Sequence, residues 1–229
     1  MVKIEQRTAS LLYRLGKKLV GLLPAWLFRF RPFGVYEIPL ATQIPKPVSI
    51  PRRGTRGELD CQISWVADRA EARLLQHLAS QKSIGALNFT TRRVAAAWLN
   101  GKAIACAWIA AELFEESELG LRFELQPTEV WLFAAAVDTP SRDQGVYRRL
   151  LEFLIAELRG DDIRRILLGV TFGNETSRRA HARQGATSVG AITVARCLGL
   201  TLCRPGGRVK LLSPRAMAWR RPIRLVVDP

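Results

Sequence analysis

The chain has 229 residues, enough to bury roughly 70% of the surface its unfolded form exposes and so to hold a core without disulfide or metal staples. With 48% hydrophobic and 24% charged residues it falls outside disordered and fibrous compositions. The net charge of +15 points to an anionic partner or substrate: nucleic acid, acidic lipid, an acidic carrier protein or a phosphorylated cofactor.

The basicity lies at the two ends. Residues 1–60 carry 11 basic and 4 acidic side chains, residues 61–160 carry 11 and 12, and residues 161–229 carry 13 and 4. Cys61, Cys106, Cys197 and Cys203 show no C-x-x-C spacing, and the chain has two histidines. That set argues against a disulfide scaffold and a metal site, and reads as reduced thiols of a cytoplasmic protein.

In chain order, the apolar stretch Leu11–Phe30 is interrupted by Arg14, Lys17, Lys18, Pro24 and Arg29, so it lacks the ~20 apolar residues of a spanning helix. It also lacks the small-residue cleavage site of a signal peptide. Leu11, Leu12, Leu15, Leu19, Leu22 and Leu23 share one helical face, opposite Arg14, Lys17, Lys18 and Gly21. The spacing predicts an amphipathic helix ended near Pro24. Two readings stand: a helix at the inner, anionic face of a membrane with Trp26, Phe28, Phe30 and Phe33 as interfacial anchors, or a helix packed on its own domain. Pro39, Pro45, Pro47 and Pro51 then predict an extended connector. The expected division is a basic extension over residues 1–58 and a folded domain over 59–229.

Within that domain, Leu59–Val66 alternates like a strand, and Ala67–Ser80 has helical spacing after a cap at Asp68. Arg93–Leu99 and Ala103–Leu113 flank Asn100-Gly101, a pair suited to a type I′ hairpin turn. Glu129–Val137 is the next strand. A helix over Gly145–Arg159, a strand over Arg165–Phe172, a helix over Glu175–Arg183 and a strand over Thr187–Cys197 follow, with a last short strand at 208–212. The layout is mixed α/β.

The chemistry is expected at Val137–Leu151, where a strand runs through a loop into a helix. Glycine at a helix start lets backbone N–H groups face an anion, and the helix dipole adds positive potential. Arg142, Arg148 and Arg149 reinforce it. Neither G-x-G-x-x-G nor G-K-[ST] is present, and one glycine before a helix also fits an ordinary connection.

Two motifs carry a resemblance. Arg142, Gly145 and Tyr147, after a strand ending at Val137, are similar to the Arg/Gln-x-x-Gly-x-Gly/Ala acyl-CoA-binding motif of the GNAT superfamily of N-acetyltransferases, with Tyr147 in place of a small residue. Asn174, Ser177, His181, Gly185 and Ala186 match the spacing of the family's Asn-x-x-Ala/Ser-x-x-x-Tyr-x-x-x-Gly-Phe, with His181 at the Tyr and Ala186 at the Phe. The resemblance covers about residues 59–200. It implies a mostly antiparallel sheet containing one splayed parallel strand pair, flanked by helices, with the pantetheine arm in the gap. Val137, Arg142, Gln144, Gly145, Val146, Tyr147, Arg148 and Asn174 would bind the donor, the pyrophosphate resting on the N–H groups of 144–147.

By the same resemblance, His181 would protonate the departing thiolate and Glu129 would serve as base. On the residues alone, His181 also reads as a surface position among arginines, Glu129 as a strand-edge carboxylate and Asn174 as a helix cap. Glu112, Glu115, Glu116 and Glu118 either attract a cationic acceptor or form a solvated face. The expected function is transfer of an acetyl or longer acyl group from acyl-CoA, or from an acyl carrier protein, to an amine, without a metal. The alternative is a non-catalytic protein of that fold binding nucleic acid or an anionic membrane; no RNA-binding signature supports nucleic acid.

Overall fold

The computed structural model describes residues 28–40, 60–78, 91–116, 118–212, 215–219 and 221–229. The leucine stripe of 11–23 and the connector prolines at 45, 47 and 51 lie outside the described residues. Those described form thirteen strands and three helices. β1 (Phe28–Pro39), β2 (Gln62–Trp65), α1 (Arg69–Arg73), β3 (Arg92–Leu99), β4 (Lys102–Ala111), β5 (Leu113–Glu116), β6 (Leu121–Glu124) and β7 (Glu129–Val137) come first. A short 3₁₀ turn at Thr139–Ser141, α2 (Val146–Gly160), β8 (Arg165–Thr171), α3 (Glu175–Ala182), β9 (Thr187–Cys197), β10 (Leu200–Gly207), β11 (Val209–Leu211), β12 (Met217–Trp219) and β13 (Ile223–Val227) follow. The main sheet runs β12-β10-β9-β1-β8-β7-β4-β3-β2, and a second sheet runs β11-β13-β6-β5. Most pairings are antiparallel; β7 with β8 and β13 with β6 are parallel.

β4 reads as an almost unbroken apolar run because both of its faces are covered. Ala105, Ala107 and Ile109 pack under α2, whose Leu150, Leu151, Leu154 and Leu158 form one stripe spaced three and four residues apart. Cys106 and Trp108 face the other way, against Leu75 and Ala72 beside α1. Further along that second face, Trp131 and Leu167 meet Phe114, Phe123 and Leu225 of the small sheet. The core therefore has two layers, one on each side of the main sheet.

Several elements take the expected form. Asn100 and Gly101 both have positive φ, 50° and 76°, as a type I′ hairpin turn requires, and join β3 to β4 with Leu99 opposite Lys102. Asp68 caps α1 by accepting from the Glu71 N–H at 2.8 Å. That helix stops at Arg73 and gives way to turns through residue 78, shorter than its apolar spacing suggested.

The N-terminal region is where structure and sequence differ most. Phe28–Pro39, expected within the extension, is a central strand: it pairs with β9 through Phe28↔Cys197 to Glu37↔Thr187, and with β8 through Phe33↔Thr171 to Pro39↔Arg165. The folded unit thus begins before residue 59. The physical reason is a period of two: Phe33 and Val35 enter one core layer while Ile38 enters the other. Phe33, expected as a membrane anchor, is 8% exposed. The strand at 209–211 is likewise not the last, since β12 and β13 follow it.

Candidate active site

β7 and β8 are in parallel register over Glu129↔Arg165 to Leu132↔Leu168 and then part. Beyond that point β7 stays with β4, through a bulge at which Ala134 takes φ 46°. β8 stays with β1. Ala134, Ala135 and Gly169 are exposed where the strands separate, so backbone on both sides of the gap faces open space.

The chain leaves β7 at this end and enters α2 through a tightly held loop. Asp138 caps the 3₁₀ turn through Ser141 N–H at 3.2 Å, and Gln144 Nε2 donates to Pro140 O at 2.6 Å. Arg142 Nε donates to the last carbonyl of β7, Val137 O, at 3.2 Å. Gly145, at φ 74°, is the N-cap of the fifteen-residue α2, and no side chain caps it. A left-handed cap of this kind favours glycine. The first intrahelical bond from this cap runs from Arg149 N–H to Gly145 O at 3.1 Å. The N–H groups of Val146, Tyr147 and Arg148 precede it and have no intrahelical acceptor, so they point out of the helix start with the positive end of its dipole.

The arginines divide. Arg142 and Arg148 are exposed beside this helix start, Arg148 lying 3.8 Å from Glu152. Arg149 turns away, donating to Cys61 O at 3.1 Å and approaching Asp60 at 3.6 Å. It holds the start of β2 and does not reinforce the anion site.

Tyr147 and His181 meet. Their rings are edge to face with centroids 5.6 Å apart, and the Tyr147 hydroxyl is 3.4 Å from His181 Nε2. His181 is buried, and burial lowers its pKa to about 4; it is a neutral imidazole at pH 7, not an imidazolium. Burial likewise pushes the Tyr147 phenol above its ordinary range. The surface reading of His181 is set aside because the C-terminal end of α3 turns this residue inward while Arg178 and Arg179 remain exposed.

Two other expected residues make structural bonds. Glu129 sits at the paired end of β7, the far end of a nine-residue strand that spans roughly 26 Å at ~3.3 Å per residue. It is 3% exposed and bound to Arg165, whose Nε donates to Glu129 Oε1 at 2.8 Å. Arg165 also reaches Glu37 at 3.1 Å and the Asp228 carbonyl at 3.0 Å. The carboxylate expected as a base is therefore spent on a clamp joining β7, β8, β1 and the C-terminal strand. Asn174 Oδ1 accepts from Ser177 N–H at 3.2 Å and caps α3, which is the simpler of its two readings.

On the sheet face opposite α2, a cavity of about 150 Å³ lies at the same level as the gap, between the main sheet and the β5–β6 hairpin. Its wall includes Ala134 and Gly169 of the parting strands, Trp131 and Phe133 of β7, Phe33 of β1 and Phe114 of β5, and Glu116 lines it. Four of these, Phe33, Phe114, Trp131 and Phe133, are apolar residues in strands whose contribution to a site no local motif marks. β5 and β6, four residues each, are too short to show a period. Of the four clustered glutamates, Glu115 pairs with Arg122 and Glu118 lies 3.9 Å from both Arg29 and Arg31. Among the described residues no group of His, Cys, Asp and Glu could hold a metal ion, and no helix is long and apolar enough to cross a membrane.

A family model for the acetyltransferase (GNAT) family matches residues 61–186. A comparison with curated protein sequences gives no match. Among solved structures, the chain is similar to a protein assigned to the GNAT family from Novosphingobium aromaticivorans, with TM-score 0.49 and 13% identity over 73% of this chain and 65% of that one. It is also similar to the ribosomal-protein-S18-alanine N-acetyltransferase of Escherichia coli, with TM-score 0.45 and 22% identity over 55% of this chain and 77% of that one. A third similarity is to an aminoglycoside acetyltransferase from an uncultured soil metagenomic sample, with TM-score 0.42 and 14% identity over 54% of this chain and 86% of that one. The chain spans less than two thirds of the first of these structures.

Proposed function

Because the chain belongs to the acetyltransferase (GNAT) family, we propose that it transfers an acyl group from acyl-CoA, or from the pantetheine arm of an acyl carrier protein, to an amine. The observation that carries this reading is the parting of β7 from β8 directly below the uncapped start of α2. A diphosphate would be held by the N–H groups of Val146, Tyr147 and Arg148, with the charges of Arg142 and Arg148 beside it. The exposed backbone of β7 at Ala134 and Ala135 offers hydrogen-bonding groups for the amides of a pantetheine arm.

In the reaction, the acceptor nitrogen forms a bond to the thioester carbonyl carbon, the carbon–sulfur bond breaks, and the thiolate leaves with a proton. We assign the supply of that proton to the Tyr147–His181 pair. An imidazole with a pKa of about 4 is protonated in roughly one molecule in a thousand at pH 7, so His181 works as the neutral partner that orients the Tyr147 hydroxyl.

Calorimetric titration with acetyl-CoA and a long-chain acyl-CoA should show binding of one or both, lost in Gly145→Asp, whose carboxylate would face the diphosphate. Unchanged affinity in that variant overturns the placement. The net charge of +15 favours a second reading, a non-catalytic protein of this fold that binds nucleic acid or an anionic membrane. Absence of acyl-CoA binding together with a steep fall of RNA or vesicle affinity with salt would establish that reading instead.

A further inference from the structure

Glu116 stands apart from the other glutamates of its cluster. It lines the cavity beside the gap, where five aromatic side chains share the wall with Arg31 and Thr171. Phe114 stacks on Trp131 with centroids 5.0 Å apart and an 8° angle, and Phe123 packs 4.2 Å from Trp131. The cavity, about 150 Å³ with apolar rings and polar groups sharing its wall, matches in size one that holds a benzene ring, and aromatic faces attract an adjacent cation. The helix start that would hold the diphosphate lies on the opposite face of the sheet, and Ala134 and Gly169 border both the gap and the cavity. A thioester in the gap would therefore meet whatever the cavity holds.

Resting on the acyltransferase reading, we propose that this cavity seats the acceptor: a small primary amine carrying one compact apolar group no larger than a benzene ring, whose ammonium is received by the carboxylate of Glu116. Burial raises the Glu116 pKa; the charge of Arg31 and a hydrogen bond from the Glu118 backbone oppose that rise, and the Glu118 charge adds to it. A carboxylate held in this way gains from a cation placed beside it and is a better proton acceptor than an exposed one. The ammonium passes one proton to Glu116 and the freed lone pair forms the C–N bond. The C–S bond breaks, the thiolate takes its proton from the Tyr147–His181 pair, and a second proton leaving the nitrogen restores that pair. The products are an amide and a thiol, and Glu116 returns its proton to solvent. Arg31, the other charged residue in the wall, repels an acceptor bearing a second positive charge.

The test follows acetyl-CoA-dependent thiol release with benzylamine, isobutylamine, ethanolamine, 1,4-diaminobutane and a lysine-containing peptide, alongside calorimetry of acetyl-CoA binding. Benzylamine and isobutylamine should exceed ethanolamine and 1,4-diaminobutane by at least tenfold in kcat/KM. Glu116→Gln should raise the benzylamine KM at least tenfold with acetyl-CoA affinity unchanged. Gly169→Ala places a methyl 3.3 Å from the Phe33 ring and 3.5 Å from Trp131, and should shift preference from benzylamine to isobutylamine. Acetyl-CoA binding with equal use of the polar amines, with the peptide as sole acceptor, or with acyl chain length as the only property the Gly169 variant alters, would overturn the proposal. If acetyl-CoA does not bind, the acyltransferase reading fails by itself. Calorimetry of benzylamine alone then decides the cavity: binding lost in Glu116→Gln supports it, and no binding overturns it.

Discussion

The two ends of the β7–β8 pair do opposite work with the same backbone. At the first end, both strands are hydrogen-bonded to each other and closed by a buried clamp of Arg165, Glu129 and Glu37. At the second, each strand follows a different neighbour, β4 or β1, and the space between them opens below a helix start with no side-chain cap. A charged group near the first end stabilises the fold, and backbone near the second is exposed where the strands part. A strand pair can open at one end because it is held firmly at the other.

The strongest way to break this contrast is to remove what β8 follows when it leaves β7. Deletion of residues 1–39 takes away β1 and should leave an unfolded chain, seen as loss of a cooperative melting transition. Deletion of residues 1–27 should instead keep the sheet and acyl-CoA binding. It removes Lys3, Arg7, Arg14, Lys17 and Lys18 against Glu5, each basic group being worth about 1 kcal/mol near an anionic surface, so the shortened protein should no longer sediment with anionic vesicles. Retained sedimentation would reject a membrane role for that segment.

Within the clamp, Glu129→Ala leaves the Arg165 guanidinium buried without its main counter-charge. Denaturant unfolding should show a loss of about 3–5 kcal/mol. Acyl-CoA affinity of the folded fraction should be unchanged, and a selective loss of turnover without loss of stability would return Glu129 to the catalytic role that the family resemblance implied. At the open end, Gly145→Asp should have the reverse signature: a stability loss of only about 1–2 kcal/mol from the left-handed φ, smaller than that of Glu129→Ala, with at least a hundredfold weaker acyl-CoA binding by calorimetry.

The smallest effect sharpens the role of the Tyr147–His181 contact. His181 titrates at about 4 when folded and near ~6.5 when unfolded. Between those values the unfolded chain binds more protons, so stability is complete above the unfolded pKa and falls as pH drops toward 4. Wild type should lose about 2 kcal/mol from this group between pH 7 and 4.5, and His181→Phe should lose that much less. The same variant should keep acyl-CoA affinity and lower kcat roughly 10²-fold; unchanged turnover would reduce the pair to a packing contact.

Local chemistry by itself determined the hairpin at Asn100-Gly101, the α1 cap at Asp68, and the helix after Gly145 with the glycine at its start. Each of these depends on residues a few positions apart, through φ preference, a side chain bonding a nearby N–H, or a period of 3.6. Tertiary structure alone decided the rest. β1 shows only a two-residue alternation, and its partners in β8 and β9 lie 126 to 169 positions further along the chain, so sequence proximity could not tell a central strand from an extension. Glu129 reads as a base or a clamp depending on whether Arg165, 36 residues away, faces it. Glu116 looks like its acidic neighbours until two sheets fold together and form a partly aromatic cavity beside it. Burial and charge pairing come from elements distant in sequence, and those two quantities decide whether a carboxylate is structural, solvated or chemically active.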